Sequence, residues 1–227
     1  MLRYVISYPK SGRTWIRLFM KLYFELLEEE LPSILYVHDE NNALKRWEKL
    51  GITDKDVKRI LLRRQPCDVM VSYYFHLYFR SDEAKRKNKL GLLDISSFIR
   101  HKKYGIESYK NWTTYWLGYT GDQLIIEYEM LFENIWSEIL TYFELPVNID
   151  AVNKIHEDCK FDNIRNNLEQ FRGFNERWRY WAMEKRRVST PTPKNPESHK
   201  FRKGKVGGYV DYLSPEDIQY IEKEWEK

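Results

Sequence analysis

Apolar positions recur along this chain with two periods. Leu2 to Ser7 (LRYVIS), Ile34 to Val37 (ILYV), Val57 to Leu62 (VKRILL) and Gln123 to Tyr128 (QLIIEY) are short apolar or alternating runs that suit buried strands. From Trp15 to Glu30 the spacing changes, and Ile16, Phe19, Leu22, Tyr23 and Leu26 fall on one helical face before the acidic run Glu28 to Glu30. Similar spacing predicts helices at Ala43 to Leu50, Pro66 to Phe79, Ile95 to Lys102, Glu107 to Leu117, Leu131 to Phe143 and Ile149 to Cys159. Ser214-Pro215-Glu216-Asp217 has the form of a helix start, with a Ser cap, Pro at the first position and acids in the first turn. Strands alternating with helices predict an α/β fold, a central parallel sheet flanked by helices on both faces. No internal repeat is visible.

Composition narrows this picture. The 227 residues are enough for one α/β domain with a sizeable core, and a single domain spanning residues 1–227 is expected. The 38 Lys and Arg against 34 Asp and Glu leave a net charge of only +4, which argues against a nucleic-acid-binding module. Two cysteines, Cys67 and Cys159, have no metal-type spacing and no disulfide framework. Leu2 to Ser7 is too short for a signal peptide and no apolar run reaches membrane-spanning length, so a cytoplasmic protein without a membrane partner is expected. Two stretches have little to bury: Arg80 to Leu90, and the basic Lys185 to Lys205 with Pro191, Pro193 and Pro196. The second reads as a solvated loop or as a lid over a ligand, and the two readings are compatible.

The chemistry begins at Tyr8 to Trp15, YPKSGRTW, between the first strand and the first helix. A strand, a glycine turn and a helix N-terminus converge backbone N–H groups on one point, and the helix dipole favours negative charge there. Lys10 adds a positive charge; Ser11 and Thr14 add hydroxyls. The turn suits a phosphate-like group. It differs from the G-x-x-x-x-G-K-[ST] loop of nucleotide hydrolases, since Lys10 precedes Gly12 and Arg13 stands where that Lys would be. A solvated βα turn containing Lys and Gly is the plain alternative. Two further segments point the same way. Arg64 sits at the C-terminal end of the third predicted strand, Pro66 opens a helix, and Ser72 lies two turns into it. Phe201 to Gly208 (FRKGKVGG) places adjacent cations beside glycines, which lets side chains and bare backbone approach a phosphate.

These three segments, in this order, resemble the signatures of cytosolic-type sulfotransferases that use 3′-phosphoadenosine 5′-phosphosulfate (PAPS). The family pattern YPKSGTTW matches YPKSGRTW here, and R-N-x-x-D-V-x-V-S-Y-Y matches at Arg64, Asp68, Val69, Val71, Ser72, Tyr73 and Tyr74, with Gln65 in place of Asn. R-K-G-x-x-G-D-W-K matches from Arg202 through Gly207, after which Gly208-Tyr209-Val210 departs from it. The resemblance runs from Tyr8 to Gly208 and implies a P-loop-like phosphosulfate-binding turn. It implies that Lys10 contacts the 5′-phosphosulfate and supports the leaving oxygen. Ser11, Gly12, Arg13 and Thr14 supply amides, Trp15 stacks on adenine, and Arg64 and Ser72 hold the 3′-phosphate under Arg202, Lys203 and Gly204. Phe161, in a stretch similar to T-S-F-D, and Tyr128, in one similar to F-Y-E-D, are further candidate adenine contacts. Trp15, Tyr128 and Phe161 fit ordinary core packing equally well.

Of the five histidines, His38 follows the strand-like ILYV and so lies at a strand's carboxyl end, where open α/β sheets bind ligands. It also matches the family's base, although the preceding K-T is absent; a neutral imidazole there takes a proton from an acceptor hydroxyl. Glu40 is a rival base and a surface or packing role the plain reading. The reaction implied is in-line sulfuryl transfer, with PAPS as co-substrate, adenosine 3′,5′-bisphosphate (PAP) as product and no metal. The acceptor is a small molecule with a hydroxyl or amine, a phenol, alcohol, sugar or natural product, as in a short bacterial-type member. No oligomer is implied. A nucleoside or small-molecule kinase and a non-catalytic phosphonucleotide- or nucleic-acid-binding module are the alternatives. A magnesium requirement marks the first and steep salt dependence the second.

Overall fold

The strand-forming runs pair as a four-stranded, all-parallel sheet: β1 (Leu2–Ser7), β2 (Ile34–Val37), β3 (Val57–Arg63) and β4 (Gln123–Glu127), in the order β2-β1-β3-β4. The structure, a computed structural model, describes residues 2–38, 49, 51, 56–79, 93–160, 162, 163 and 206–227. Contacts divide the chain into two compact units, Met1–Gln65 with Asn111–Lys160 and Pro66–Lys110 with Phe161–Lys227. The predicted helix at Ala43 to Leu50 and the stretches Arg80 to Leu90 and Lys185 to Lys205 lie outside the described residues, apart from Lys49.

The first unit holds the sheet. On one face Tyr4, Ile6, Val57 and Leu61 pack against Trp116, with Leu2, Leu35, Val37 and Trp112 at the margin. The two tryptophans stand four residues apart on α4 (Ile106–Leu117), so they share one helical face. The alternate positions Val5, Ile60 and Leu62 are also fully buried. Burial on both faces explains the near-continuous apolar runs of β1 and β3. Beside β1 runs α1 (Arg13–Leu26), whose Phe19 ring stacks flat on Trp136 at 4.0 Å.

Several boundaries differ from the sequence expectation for local physical reasons. α1 ends at Leu26, four residues before Glu30. Glu28 adopts the left-handed conformation (φ 55°) and Glu29 N–H donates to Phe24 O at 3.0 Å, a Schellman-type stop. Three carboxylates continuing the helix would have met the negative end of its dipole. The expected helix from Leu131 to Phe143 is two pieces, a 3₁₀ segment at Tyr128–Glu133 and α5 (Trp136–Tyr142), parted by the left-handed Asn134 (φ 61°). Tyr128 therefore opens that 3₁₀ segment and is not the last strand residue. α6 (Ile149–Asp158) is capped by Asn148, whose side chain accepts from Ala151 N–H.

The second unit contains α2 (Pro66–Phe79), α3 (Ile95–Ile99), a 3₁₀ turn at Gly208–Asp211 and α7 (Pro215–Glu226). α3 stops short of the expected Lys102 because the chain turns at His101, whose carbonyl accepts from Tyr104 and Gly105 N–H. α7 starts as expected, with Ser214 Oγ accepting from Asp217 N–H at 3.1 Å. The Asp217 carboxylate in turn accepts from Ser96 and Arg100, tying α3 to α7. No described helix is long and apolar enough to cross a membrane.

The strand order creates the site. From β1 the chain crosses to β2 on one side, then returns to β3 on the other side of β1. Ligands of open α/β sheets bind outside the carboxyl ends of strands at such a reversal. The register pairs Ile6 with Val37, Ser7 with Leu62 and Arg63 with Glu127, which sets Tyr8, His38, Arg64 and Tyr128 along one edge.

Candidate active site

Between Ser7 and Arg13 the backbone turns sharply. Lys10 (φ 77°) and Gly12 (φ 99°) are both left-handed; Ser11 N–H donates to Tyr8 O and Trp15 N–H to Gly12 O at 2.7 Å. A left-handed lysine costs about 1–2 kcal/mol, a local strain of the kind that clusters at functional loops. The start of α1 has no side-chain cap and no acid in its first turn. Its first N–H groups therefore need an acceptor from outside the helix. Ser11 is fully buried, and its Oγ has no hydrogen-bond partner among the described residues. Unanchored N–H groups, an orphaned hydroxyl and Lys10 on one turn fit a bound tetrahedral anion.

Beside the turn lies an aromatic wedge. Tyr128 covers Gly12 and makes edge contacts with Trp15 and Phe132 at ring separations of 5.7 and 5.4 Å. Trp15 also meets Phe132 at 4.6 Å and Trp136 at 6.2 Å, leaving it only 9% exposed. Arg64 lies with its guanidinium 4.2 Å over the Tyr128 ring, and its Nη1 reaches Lys10 O at 3.4 Å. Tyr128 thus supports both the loop and the arginine, a role its place in the sequence did not suggest.

His38 stands one residue past β2, at the mouth of the turn. Its Nδ1 lies 2.6 Å from Ser7 O, an acceptor, so Nδ1 carries the proton and Nε2 the lone pair. Arg13 Nη2 donates to that lone pair at 2.7 Å, and Trp112 Nε1 donates to the His38 carbonyl at 3.1 Å. Burial, reinforced by the charge of Arg13, pulls the His38 pKa down to about 4, against the Ser7 hydrogen bond that raises it. The imidazole is accordingly neutral at ordinary pH. His156 is accounted for differently: its Nδ1 accepts from the buried Trp136 Nε1 at 3.0 Å, a packing role.

The structure brings Lys10, Ser11, Gly12, Arg13, Thr14, Trp15, His38, Arg64 and Tyr128 to one edge of the first unit. Ser72 is half-buried on α2 in the second unit. There the buried Asp68 accepts from Gly207 N–H at 2.9 Å, joining the second and third sequence signatures. Phe161, Arg202, Lys203, Gly204 and Glu40 lie outside the described residues. No cluster of three or more His, Cys, Asp or Glu suited to a metal occurs among the described residues. Sequence reading missed the side-chain role of Arg13, although its departure from the family's Thr was a signal. It also missed the hydrogen bond from Trp112 to the His38 carbonyl and that from Gly207 to Asp68, both between residues far apart in the chain.

Comparison with known proteins supplies the family. The family profile described as the sulfotransferase domain matches residues 46–227. Cytosolic sulfotransferase 17 of Arabidopsis thaliana is 22% identical over 96% of this chain and 71% of its own length. Mouse sulfotransferase SULT7A1, solved in complex with PAP, superposes with a TM-score of 0.61 at 19% identity, over 98% of this chain and 81% of that one. Retinol dehydratase, solved with androsterone and the inactive cofactor PAP, gives a TM-score of 0.54 at 17% identity, covering 100% of this chain and 81% of that one.

Proposed function

Because the chain belongs to the sulfotransferase domain family and is a transferase of the sulfonate-transferring class, we propose that its donor is PAPS and its acceptor a small molecule bearing a hydroxyl or amine. The observation that carries this reading is the meeting of His38 with the uncapped turn. A neutral imidazole stands at the anion-binding loop, with its lone pair directed at Arg13 of that loop.

In this reading the donor's phosphosulfate occupies the turn, held by Lys10, Ser11 Oγ and the N–H groups from Gly12 to Thr14. Arg64, stacked on Tyr128, and Ser72 bind the 3′-phosphate, with Arg202, Lys203 and Gly204 closing over it. Trp15, Tyr128 and Phe161 bound the adenine. His38 Nε2 takes the acceptor's proton as its oxygen or nitrogen bonds to sulfur, while the S–O bond to the 5′-phosphate breaks. Lys10 and the dipole of α1 stabilise the charge that gathers on the departing bisphosphate, as donors aimed at developing charge do elsewhere. The Nδ1–H to Ser7 bond fixes the tautomer that presents Nε2. The relatives crystallised with PAP support the choice of nucleotide.

Calorimetric titration with adenosine 3′,5′-bisphosphate, AMP and ATP in metal-free buffer tests the donor site. Binding that depends on the 3′-phosphate is expected. Equal affinity for all three would remove Arg64 and Ser72 from the site and favour a kinase.

A further inference from the structure

Arg13 is a cation in an unfavourable place. It occupies the first position of α1, at the positive end of the helix dipole, with Arg17 one turn on. No carboxylate pairs with it among the described residues, and its Nη1 is buried there without a hydrogen-bond partner. Burial and Arg17 pull its pKa down to about 10. Its one described hydrogen bond goes to His38 Nε2. That bond uses the lone pair that has to accept the substrate proton. A guanidinium is protonated throughout and donates only, so His38 cannot act as a base while Arg13 holds it. The described residues around it offer no other relief: Lys10 and Arg17 add positive charge from the turn and α1, and Tyr36 on β2 is a neutral phenol under the Arg17 guanidinium. Trp112 on α4 donates to the His38 carbonyl.

From this geometry we infer that Arg13 is a mobile catalytic arginine, which caps His38 Nε2 in the donor-free protein and transfers to the sulfonate oxygens when the donor binds, freeing the base. The inference rests on the PAPS reading above and deepens it. The incoming sulfonate is the negative group that the turn would receive next to Arg13, and it offers acceptors to both Nη1 and Nη2. In the transferred position Arg13 stabilises charge on the sulfuryl oxygens while His38 receives the acceptor's proton. The base is thus exposed only when there is a sulfonate to transfer.

The test compares PAPS with PAP, which lacks the sulfonate, in the wild-type protein, Arg13→Thr and Arg13→Lys. Thr is the residue at this position of the resembled loop pattern, so its backbone suits the turn, and a thermal melt checks folding. Arg13→Thr is expected to weaken PAPS binding at least tenfold and PAP binding less than threefold, with Arg13→Lys recovering part of the loss. Imidazole ¹⁵N spectra should show His38 Nε2 hydrogen-bonded in the free and PAP-bound wild type and released in the PAPS complex. Equal weakening of both nucleotides, or an Nε2 signal unchanged by PAPS, would overturn the transfer and leave Arg13 a packing residue. A wild-type protein that binds neither nucleotide would fail earlier, at the donor site, and take the inference with it.

Discussion

Tyr128 closes on Gly12 so tightly that a Cβ added at residue 12 would lie 2.3 Å from Tyr128 Cδ2. The contact joins the glycine turn after β1 to the segment after β4, and it places the ring on which Arg64 rests.

Gly12→Ala should therefore fail twice. The side chain meets the ring, and φ 99° is closed to alanine. Together the two effects should cost about 2–4 kcal/mol, read from urea unfolding. Shrinking the ring with Tyr128→Leu relieves only the steric part, so the double variant should regain some stability but little donor affinity. Full recovery would mean that the backbone angle is unimportant.

Lys10→Ala and Arg64→Ala should separate chemistry from binding. In the proposed mechanism Lys10 acts on the charge developing in transfer, so its loss should lower kcat about 100- to 1,000-fold. In the proposed donor site Arg64 faces the 3′-phosphate, so its removal should weaken adenosine 3′,5′-bisphosphate about 10- to 100-fold, as for a charge-assisted hydrogen bond, and leave AMP binding nearly unchanged. Steady-state kinetics and calorimetry distinguish the two; an Arg64→Ala effect of equal size on AMP would contradict the assignment.

His38→Ala should reduce turnover about 100- to 10,000-fold while nucleotide binding stays near normal. With its pKa near 4 in the free protein, His38 is already deprotonated at neutral pH. The kcat/KM profile for the donor should then stay level as pH falls to about 5 and drop only near the depressed value, because that kcat/KM reports the donor-free enzyme. An acid limb at the ordinary value of 6.5 would mean that another group serves as base.

The same burial predicts how stability responds to acid. His38 takes up its proton at about 4 when folded and near 6.5 when unfolded. Its neutral form favours the folded state fully above pH 6.5, and that contribution is lost as pH falls toward 4. Urea midpoints should decline over this window more steeply for the wild type than for His38→Gln, which has no proton to bind. Parallel curves would argue against the half-buried, neutral imidazole.

Asp68→Ala should destabilise the second unit by about 1.5–3 kcal/mol, the range for a hydrogen bond to a charged group, because Gly207 N–H loses its acceptor. Amide exchange at Gly207 should accelerate. Unchanged protection there would mean that the turn holds without Asp68.

Much of this is legible in the sequence alone. The strands β1 to β3 were found because apolar runs of that length, bounded by turn residues, have few other solutions. The α7 start was found because Ser214 and Pro215 act locally. The ends of α1 and α5 were misread because they depend on single left-handed residues, Glu28 and Asn134, that periodicity does not mark. Among the site residues, Lys10, Gly12 and Arg64 stood out through their spacing from strands and glycines. Their partners did not, since contacts such as Tyr128 over Gly12 join residues far apart in the chain.

By itself the sequence determined the parallel α/β class, the glycine turn between β1 and α1 and the residue types on that turn, because strand periodicity, glycine turns and helix starts are set by neighbours within a few positions. The tertiary structure decided what those residues do to one another. Only the crossing from β1 to β2 brings His38 back beside Ser7, fixes its tautomer, keeps it half-buried and neutral and lays the Arg13 guanidinium on its lone pair. Such pairings come from sheet register over separations of 25 residues or more, and no local pattern encodes them.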